Sequence, residues 1–334
     1  MIQPDHYLTY HPSMDELSDH TLELLEKAVE STQAFIKVTS KLSETSYLTR
    51  GAHAKSYAYA QGKFNPNEAL IHDLNIEDYF NKGQDLLIRF SNANNVIHEE
   101  SKNFPAYGMS LKFTNNICYP LVNFPLFPTD DVDSFLKLFI DLNEARISQA
   151  KEGWGAVKEL PAVLSSTFKA LYHINPLNLG NLIWKGASLD KDFLMNYHYH
   201  GIGCYRMGEY VAKIHTEKLD FKIDDVDKEG SQRKALQNIL NCSEIHFRIY
   251  IQLAVNENDT PVNQLSKEWS KETSPWLELG IVTLPKQIIV ENSPAFEATS
   301  FNPFLNPSCM QPVGRIQQTR KPVYKVSHKT RTSV

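Results

Sequence analysis

The chain has 334 residues, 42% hydrophobic and 22% charged, with a formal net charge of −5, enough material to bury a substantial core in one large domain or two. Its mild acidity argues against a non-specific hold on nucleic acid or on an anionic membrane surface. The start, MIQPDHYLTYHPSMDEL, lacks the basic-then-apolar pattern of a leader, and no uncharged run is long enough to span a bilayer, so the expectation is a cytoplasmic protein with no stable membrane insertion.

Residues 14–42 set Leu17, Leu22, Leu24, Leu25, Ala28, Val29, Phe35 and Ile36 at roughly helical spacing among charged residues, which predicts a long amphipathic helix. AKSYAYAQG, LLIRFS, GMSLKFT and YPLVNF follow, rich in β-branched and aromatic residues and bounded by Gly, Asn and Pro; they read as strands. Asp130 and Asp131 open DDVDSFLKLFIDLNEA, acidic in its first turn and broadly apolar on one face, hence a helix, with helical material expected to about residue 172. GEYVAKIHT, IHFRIYIQLAV and LGIVTLP form a second strand series. Two strand groups split by helices fit an α+β fold whose strands could close into one barrel. With no repeat or linker-like stretch, residues 1–334 read as a single domain: a helical segment (1–45), a body of strands and helices (50–290) and a C-terminal segment (300–334). Cys118, Cys204, Cys242 and Cys309 are scattered with no CxxC pair, so neither a disulfide scaffold nor a cysteine zinc site is indicated.

Three groups carry potential chemistry. RGAHAK places His53 before the first strand, either as a structural histidine or as a proton shuttle at neutral pH. In LIRFSNA, Arg89 and Ser91 are two apart and so share one face of a strand. In TRKPVYKVSHKTR, Arg320 and Tyr324 are four apart, so a guanidinium and a phenol meet on one helical face, unless the segment is only a basic, frayed terminus. Pro322 between them predicts that this helix begins close to Lys321, because proline is comfortable only in a first turn. His198 and His200 of NYHYHG are spaced as a metal pair on a strand would be, but no third ligand is evident nearby. Gly201, Gly203 and Gly208 miss the dinucleotide spacing and read as turn glycines.

Taken together, RGAHAK, LIRFS, YGMSLKF, LVNFPLF, FRIYIQ, SFNPF and RKPVY occur in the order and rough spacing of the catalase superfamily, over nearly all of residues 49–331. The chain most resembles the short catalase-related haem proteins that keep the antiparallel barrel of about eight strands and its peripheral helices and lack the later C-terminal domains. The resemblance implies a haem b cofactor with ferric iron on Tyr324, Arg320 one turn before it and His328 on a further histidine of that segment. It implies His53 as distal histidine with Ser91 orienting it, and Asn123 as distal asparagine, although the family's Asn-Asn-Thr-Pro is shortened here to Asn-Phe-Pro. Arg50, Arg89 and Arg331 match the arginines for the haem propionates, and Phe127 and Phe135 the aromatics beside the macrocycle.

Those residue types suit the task. Tyrosine is one of the protein ligands that haem iron accepts, and a neighbouring cation favours its anion. One imidazole can move a proton between the two oxygens of a peroxide, and guanidinium forks suit carboxylates. Where the family keeps an Asp-Pro-Arg-Gly run whose aspartate lines the substrate channel, this chain has Phe104-Pro105-Ala106-Tyr107-Gly108, and Ala52 stands for a bulkier residue before the distal histidine. A looser, less charged approach implies a peroxidase acting on hydrogen peroxide or organic hydroperoxides with an unspecified reductant and weak catalase activity. Two alternatives share the resemblance: an allene-oxide-type fatty-acid hydroperoxide isomerase, and a haem-binding protein without turnover. A monomer or homodimer is expected.

Overall fold

The computed structural model describes residues 6–97, 106–127, 129–152, 192–218, 231–290 and 293–333. Ten strands are described: β1 (Ser56–Pro66), β2 (Gln84–Asn92), β3 (Tyr107–Phe113), β4 (Cys118–Val122), β5 (Tyr199–Gly201), β6 (Cys204–Met207), β7 (Tyr210–Lys218), β8 (Ile245–Leu253), β9 (Trp276–Leu284) and β10 (Pro312–Val313). The described helices are α1 (Asp19–Ile36), α2 (Thr39–Ser43), α3 (Glu68–Asp73), α4 (Val132–Glu152), α5 (Gln232–Cys242), α6 (Pro294–Ala298) and α7 (Arg315–Thr332). The long N-terminal amphipathic segment is thus divided between α1 and α2, and the stretch expected to be helical beyond residue 152 lies outside the described residues.

Antiparallel pairing runs β1–β2–β3–β4–β5–β7–β8–β9 and returns from β9 to β1. The result is a closed eight-stranded barrel, the closure that the α+β pattern allowed and the strand number that the family resemblance implied, with no free edge around the ring; β6 and β10 extend outward from β7. Period-two alternation decides what each strand turns inward. Leu86, Ile88 and Phe90 of β2 and Phe247, Ile249 and Ile251 of β8 enter one large buried core, in which Phe64, Phe80 and Phe113 meet edge to face at 5.3 to 5.4 Å. Each such side chain stabilises the fold by about 1.5–3 kcal/mol. Gly203 and Gly208 flank β6 in the left-handed region, φ 74° and 68°, as turn glycines do; at Gly208 any Cβ would lie 2.0 Å from the carbonyl oxygen of Leu74.

Helices α1, α4 and α7 form a layer against the outer wall of the barrel, sharing a cluster built on Leu24, Leu25, Ala28, Val132, Leu136, Leu265 and Ile316. Ser18 caps α1 by accepting from Thr21 N at 3.1 Å, and Thr21 Oγ1 donates to Asp133 of α4 at 2.7 Å. Helix α7 corrects the sequence expectation, since it starts at Arg315 and carries Pro322 in its interior. An internal proline costs roughly 3 kcal/mol. The early start is secured from outside: Gly314 N donates to Asp15 Oδ1 at 2.6 Å and Arg315 N to Asn263 Oδ1 at 2.8 Å. Two distant side chains thus satisfy orphan donors of the first turn, while Ile316 is buried in the interhelical cluster.

Candidate active site

Between the outer barrel wall and the helical layer lies a cavity of about 360 Å³, within the size range of small-molecule sites. Strand register fixes its barrel side. Tyr59, Arg89, Ser110 and Pro120 are successive cross-strand neighbours on β1 to β4, as are Ser91, Gly108 and Val122 on β2 to β4. Arg89, Ser110, Pro120 and Val122 all line the cavity. Arg89 and Ser91 share the outward face of β2, while Ile88 and Phe90 point into the core.

His53 enters from the loop before β1. Its backbone is left-handed, φ 53°, a conformation costing a non-glycine residue on the order of 1–2 kcal/mol. Clamps on both sides hold it: Ala54 N donates to Asn94 O at 2.9 Å, and Arg89 Nη2 donates to His53 O at 2.5 Å.

 Both the Ala54–Asn94 bond and a longer one from His53 N to Ala93 O, 3.5 Å, tie this loop to the end of β2. Nδ1 of His53 lies 3.1 Å from Ser91 Oγ, whose own hydroxyl reaches Gly108 O at 3.4 Å. With the hydroxyl proton directed to that carbonyl, Ser91 accepts from Nδ1–H and leaves Nε2 as the basic nitrogen. Gly108 is required by this packing, because a Cβ there would sit 2.6 Å from His53 Nδ1 and 2.8 Å from Ser91 Oγ. Burial first, then the cations of Arg89, Arg320 and Arg50, push the imidazole down to about 3, so His53 is a neutral base throughout the physiological range.

Helix α7 supplies another wall. Arg320, Val323, Tyr324, Ser327, His328 and Arg331 line the cavity at the three- and four-residue spacing of one helical face. Arg320 Nη2 donates to the Tyr324 hydroxyl oxygen at 2.9 Å, so the early start of α7 makes the contact that Pro322 had put in question. Burial lowers the ionisation of Arg320, but the Tyr324 and Tyr205 oxygens outweigh it and raise it above the usual arginine range. His328 is half-buried, with Nε2 3.1 Å from Ala298 O.

Arg50, Arg89 and Arg331 converge on a residue that the sequence did not single out. Glu297 of α6, 3% exposed, lies 3.3 Å from Arg50 Nε, 4.0 Å from Arg89 Nη2 and 3.7 Å from Arg331 Nη1. Arg50 Nη2 also donates to the Phe296, Glu297 and Thr299 carbonyls, and Arg331 Nη1 to that of Glu297. Tyr59, likewise missed, accepts from Arg89 Nε at 3.1 Å and stacks on Phe296 at 4.3 Å. The only sequence signal for Tyr59 was its place on the outward side of β1; Glu297 gave none, being 247 residues from Arg50.

Phe127 and Phe135 line the cavity edge to face at 5.0 Å, beside Leu136, Phe139, Phe301 and Val323. Asn123 is not brought into the lining. It is buried, its Oδ1 accepts from Tyr107 N at 2.8 Å, and the neighbouring Val122 faces the cavity instead.

No protein-family model and no curated protein matches the sequence. Solved structures do match: a fungal catalase (17% identity, TM-score 0.66, covering 86% of this chain and 59% of that one), catalase A from Saccharomyces cerevisiae (15%, 0.66, 86% and 62%) and a bacterial catalase (17%, 0.64, 86% and 58%). The chain has the catalase fold. It spans about three fifths of the length of those structures.

A haem implied by the catalase fold can be tested against the residues present. Three guanidinium groups around one carboxylate leave two positive charges in excess, the number that a dicarboxylate edge would neutralise. Nε of Arg331 is buried without a hydrogen-bond partner, and crowding of these cations, after burial itself, pulls its ionisation down to about 10. An Arg-paired phenol on one wall, a neutral imidazole on another and aromatic rings in the same lining complete a donor set that fits the group.

His198 and His200 gain a third imidazole that sequence spacing could not reveal. His215 pairs with His200 across β5 and β7, with Nδ1 to Nδ1 3.0 Å, and its ring lies 3.9 Å from that of Trp276. Among the described residues no group of three or more His, Cys, Asp or Glu is arranged to hold a metal ion, and no helix is long and apolar enough to cross a membrane.

Proposed function

We propose that this protein is a haem-dependent peroxidase that reduces hydrogen peroxide or small organic hydroperoxides. The observation that carries the reading is one cavity walled by a neutral, serine-held His53 and by the Arg320–Tyr324 pair. Tyr324 would hold the iron of haem b, Arg50, Arg89 and Arg331 its propionates, and Phe127, Phe135 and the half-buried His328 its flanks. When bound, the haem would supply a ferric centre with the redox capacity that reduction of a peroxide needs.

His53 handles the proton. Nε2 takes it from one peroxide oxygen and returns it to the other, which leaves as water or alcohol; two electrons and two protons from a reductant complete the reduction of ROOH to ROH and water. Ser91 keeps the tautomer that this transfer needs. Asn123 serves as a positioning residue, holding the Tyr107 backbone and with it the adjoining Gly108, against which His53 packs. The apolar lining and the absence of a carboxylate among the described cavity residues suit organic hydroperoxides over the two-peroxide catalase cycle. Four free thiols suit a reducing, cytoplasmic compartment.

The test is an absorption spectrum of the haem-reconstituted protein before and after peroxide, with Tyr324→Phe alongside, and turnover of a chromogenic reductant with and without His53→Gln. A ferric Soret band that moves with peroxide, changes in the tyrosine variant, and drives turnover dependent on His53 is expected. Loss of a lipid hydroperoxide without any reductant would replace the reading with an isomerase, and haem uptake without reaction would replace it with a binding protein.

A further inference from the structure

Arg320 owes its place to a residue outside the recognised motifs. Gln317 lies one turn earlier on α7 and is 1% exposed. Its Nε2 donates to two barrel-side carbonyls, Ile202 O at 2.5 Å and Cys204 O at 3.2 Å. Both acceptors are backbone oxygens, so only the NH2 end of the amide can face them, and the flipped amide would set oxygen against oxygen. The opposite end, Oε1, is therefore fixed toward α7, where it accepts from Arg320 Nη1. The same guanidinium then presents Nη2 to the Tyr324 hydroxyl oxygen at 2.9 Å.

The barrel side of this relay is equally constrained. Gly203 is left-handed at φ 74°, and a Cβ there would meet the Gln317 side chain at 3.0 Å. Gln317 sits there without room to swing away, between the Ile202–Cys204 turn and Arg320. A guanidinium with rotatable bonds is expected to sample several rotamers; here two bonded nitrogens, one to an amide and one to a phenol, select one.

We propose that Gln317 is a positioning residue: it couples the barrel turn to Arg320, holds that guanidinium on the Tyr324 oxygen, and so tempers how strongly Tyr324 donates to a bound iron. This rests on the proposed haem reading for its last step only. Outer partners that orient a ligand in this way typically change metal affinity or activity 10–100-fold when removed. A neutral amide in this position leaves the full charge of Arg320 for the phenol oxygen, whereas a carboxylate would share it.

Two variants and two measurements test the proposal. In the haem-free protein, nitrogen-15 NMR of arginine side chains, with Arg320 assigned through Arg320→Lys, should show separate Nη protons in the wild type. Gln317→Met, close in volume and a good helix former, should collapse them into one averaged signal, whereas Gln317→Glu, which keeps an acceptor, should retain them. Separate signals in Gln317→Met would overturn the clamp. After loading with ferric haem, both variants should show a lower reduction potential than the wild type and Gln317→Met an affinity for haem weaker by about tenfold or more; a potential unchanged in both would overturn the tempering role. If the wild type takes up no haem, the haem reading falls and the tempering role with it, while the NMR arm still decides the clamp.

Discussion

The two walls of the cavity are made in different ways. On α7 the cavity-facing side of one helix suffices: residues 320, 323, 324, 327, 328 and 331 share it by spacing alone. On the barrel side, His53, Ser91 and Gly108 come from a loop and two strands, and their contact depends on the register that sets Ser91 opposite Gly108. A helical wall tolerates local change because its neighbours are set by the helix itself. A wall built on register has no such reserve, since a one-residue slip turns every side chain to the other face.

The largest effect expected is at the barrel wall. His53→Gln should slow the reaction of the haem-loaded protein with peroxide by about 10²–10⁴-fold with its resting spectrum kept, measured by stopped-flow absorption. Gly108→Val should approach the same loss without touching a reacting group, because its side chain occupies the space of His53 Nδ1 and Ser91 Oγ; rates kept within about twofold would show that the register is not what builds this wall.

Next is the ion cluster joining the two walls. Glu297→Gln leaves three buried arginines without their carboxylate and should destabilise the haem-free protein by roughly 3–5 kcal/mol in urea unfolding. On the helical wall, Pro322→Ala should restore an interior hydrogen bond and raise stability by up to about 1–3 kcal/mol. Loss of stability instead would mean that the proline geometry is needed to aim Tyr324. Smallest is Ser91→Ala, which frees the imidazole tautomer and should slow the peroxide reaction by about tenfold.

Acid sharpens the contrast further. His53 has its ionisation depressed to about 3 in the folded chain, against an ordinary value near 6.5. Between these values the unfolded chain binds the extra proton and the native chain does not, so stability is full above pH 6.5 and is lost progressively as pH falls toward 3. His215, depressed to about 2 by burial, His200, His198 and Lys271, acts in the same sense. His53→Gln should therefore flatten part of the decline in urea midpoint over this window, whereas a slope identical to wild type would show that His53 is not buried neutral.

Local spacing made much of this legible. The alternation in LLIRFS put Arg89 and Ser91 on one face, and the four-residue step in RKPVY put Arg320 on Tyr324. The same reasoning failed at Pro322, because what starts α7 at Arg315 is Asp15 and Asn263, some 299 and 52 residues away in the chain. The family resemblance, not local spacing, placed Asn123 in the distal pocket; here the pairing of β3 with β4 ends in its bond to Tyr107 and turns Val122 to the cavity.

By itself, then, the sequence determined the long helices, most barrel strands and their faces, since periodicity and charge act within a few residues, while the family resemblance supplied the roles of the wall residues. Only tertiary structure decided the ring closure of β9 on β1, the left-handed seat of His53, the gathering of three arginines on Glu297 and the hold of Gln317 on Arg320. Each of these joins groups far apart in the chain, and their distances are set by barrel closure and helix packing, which no local pattern records.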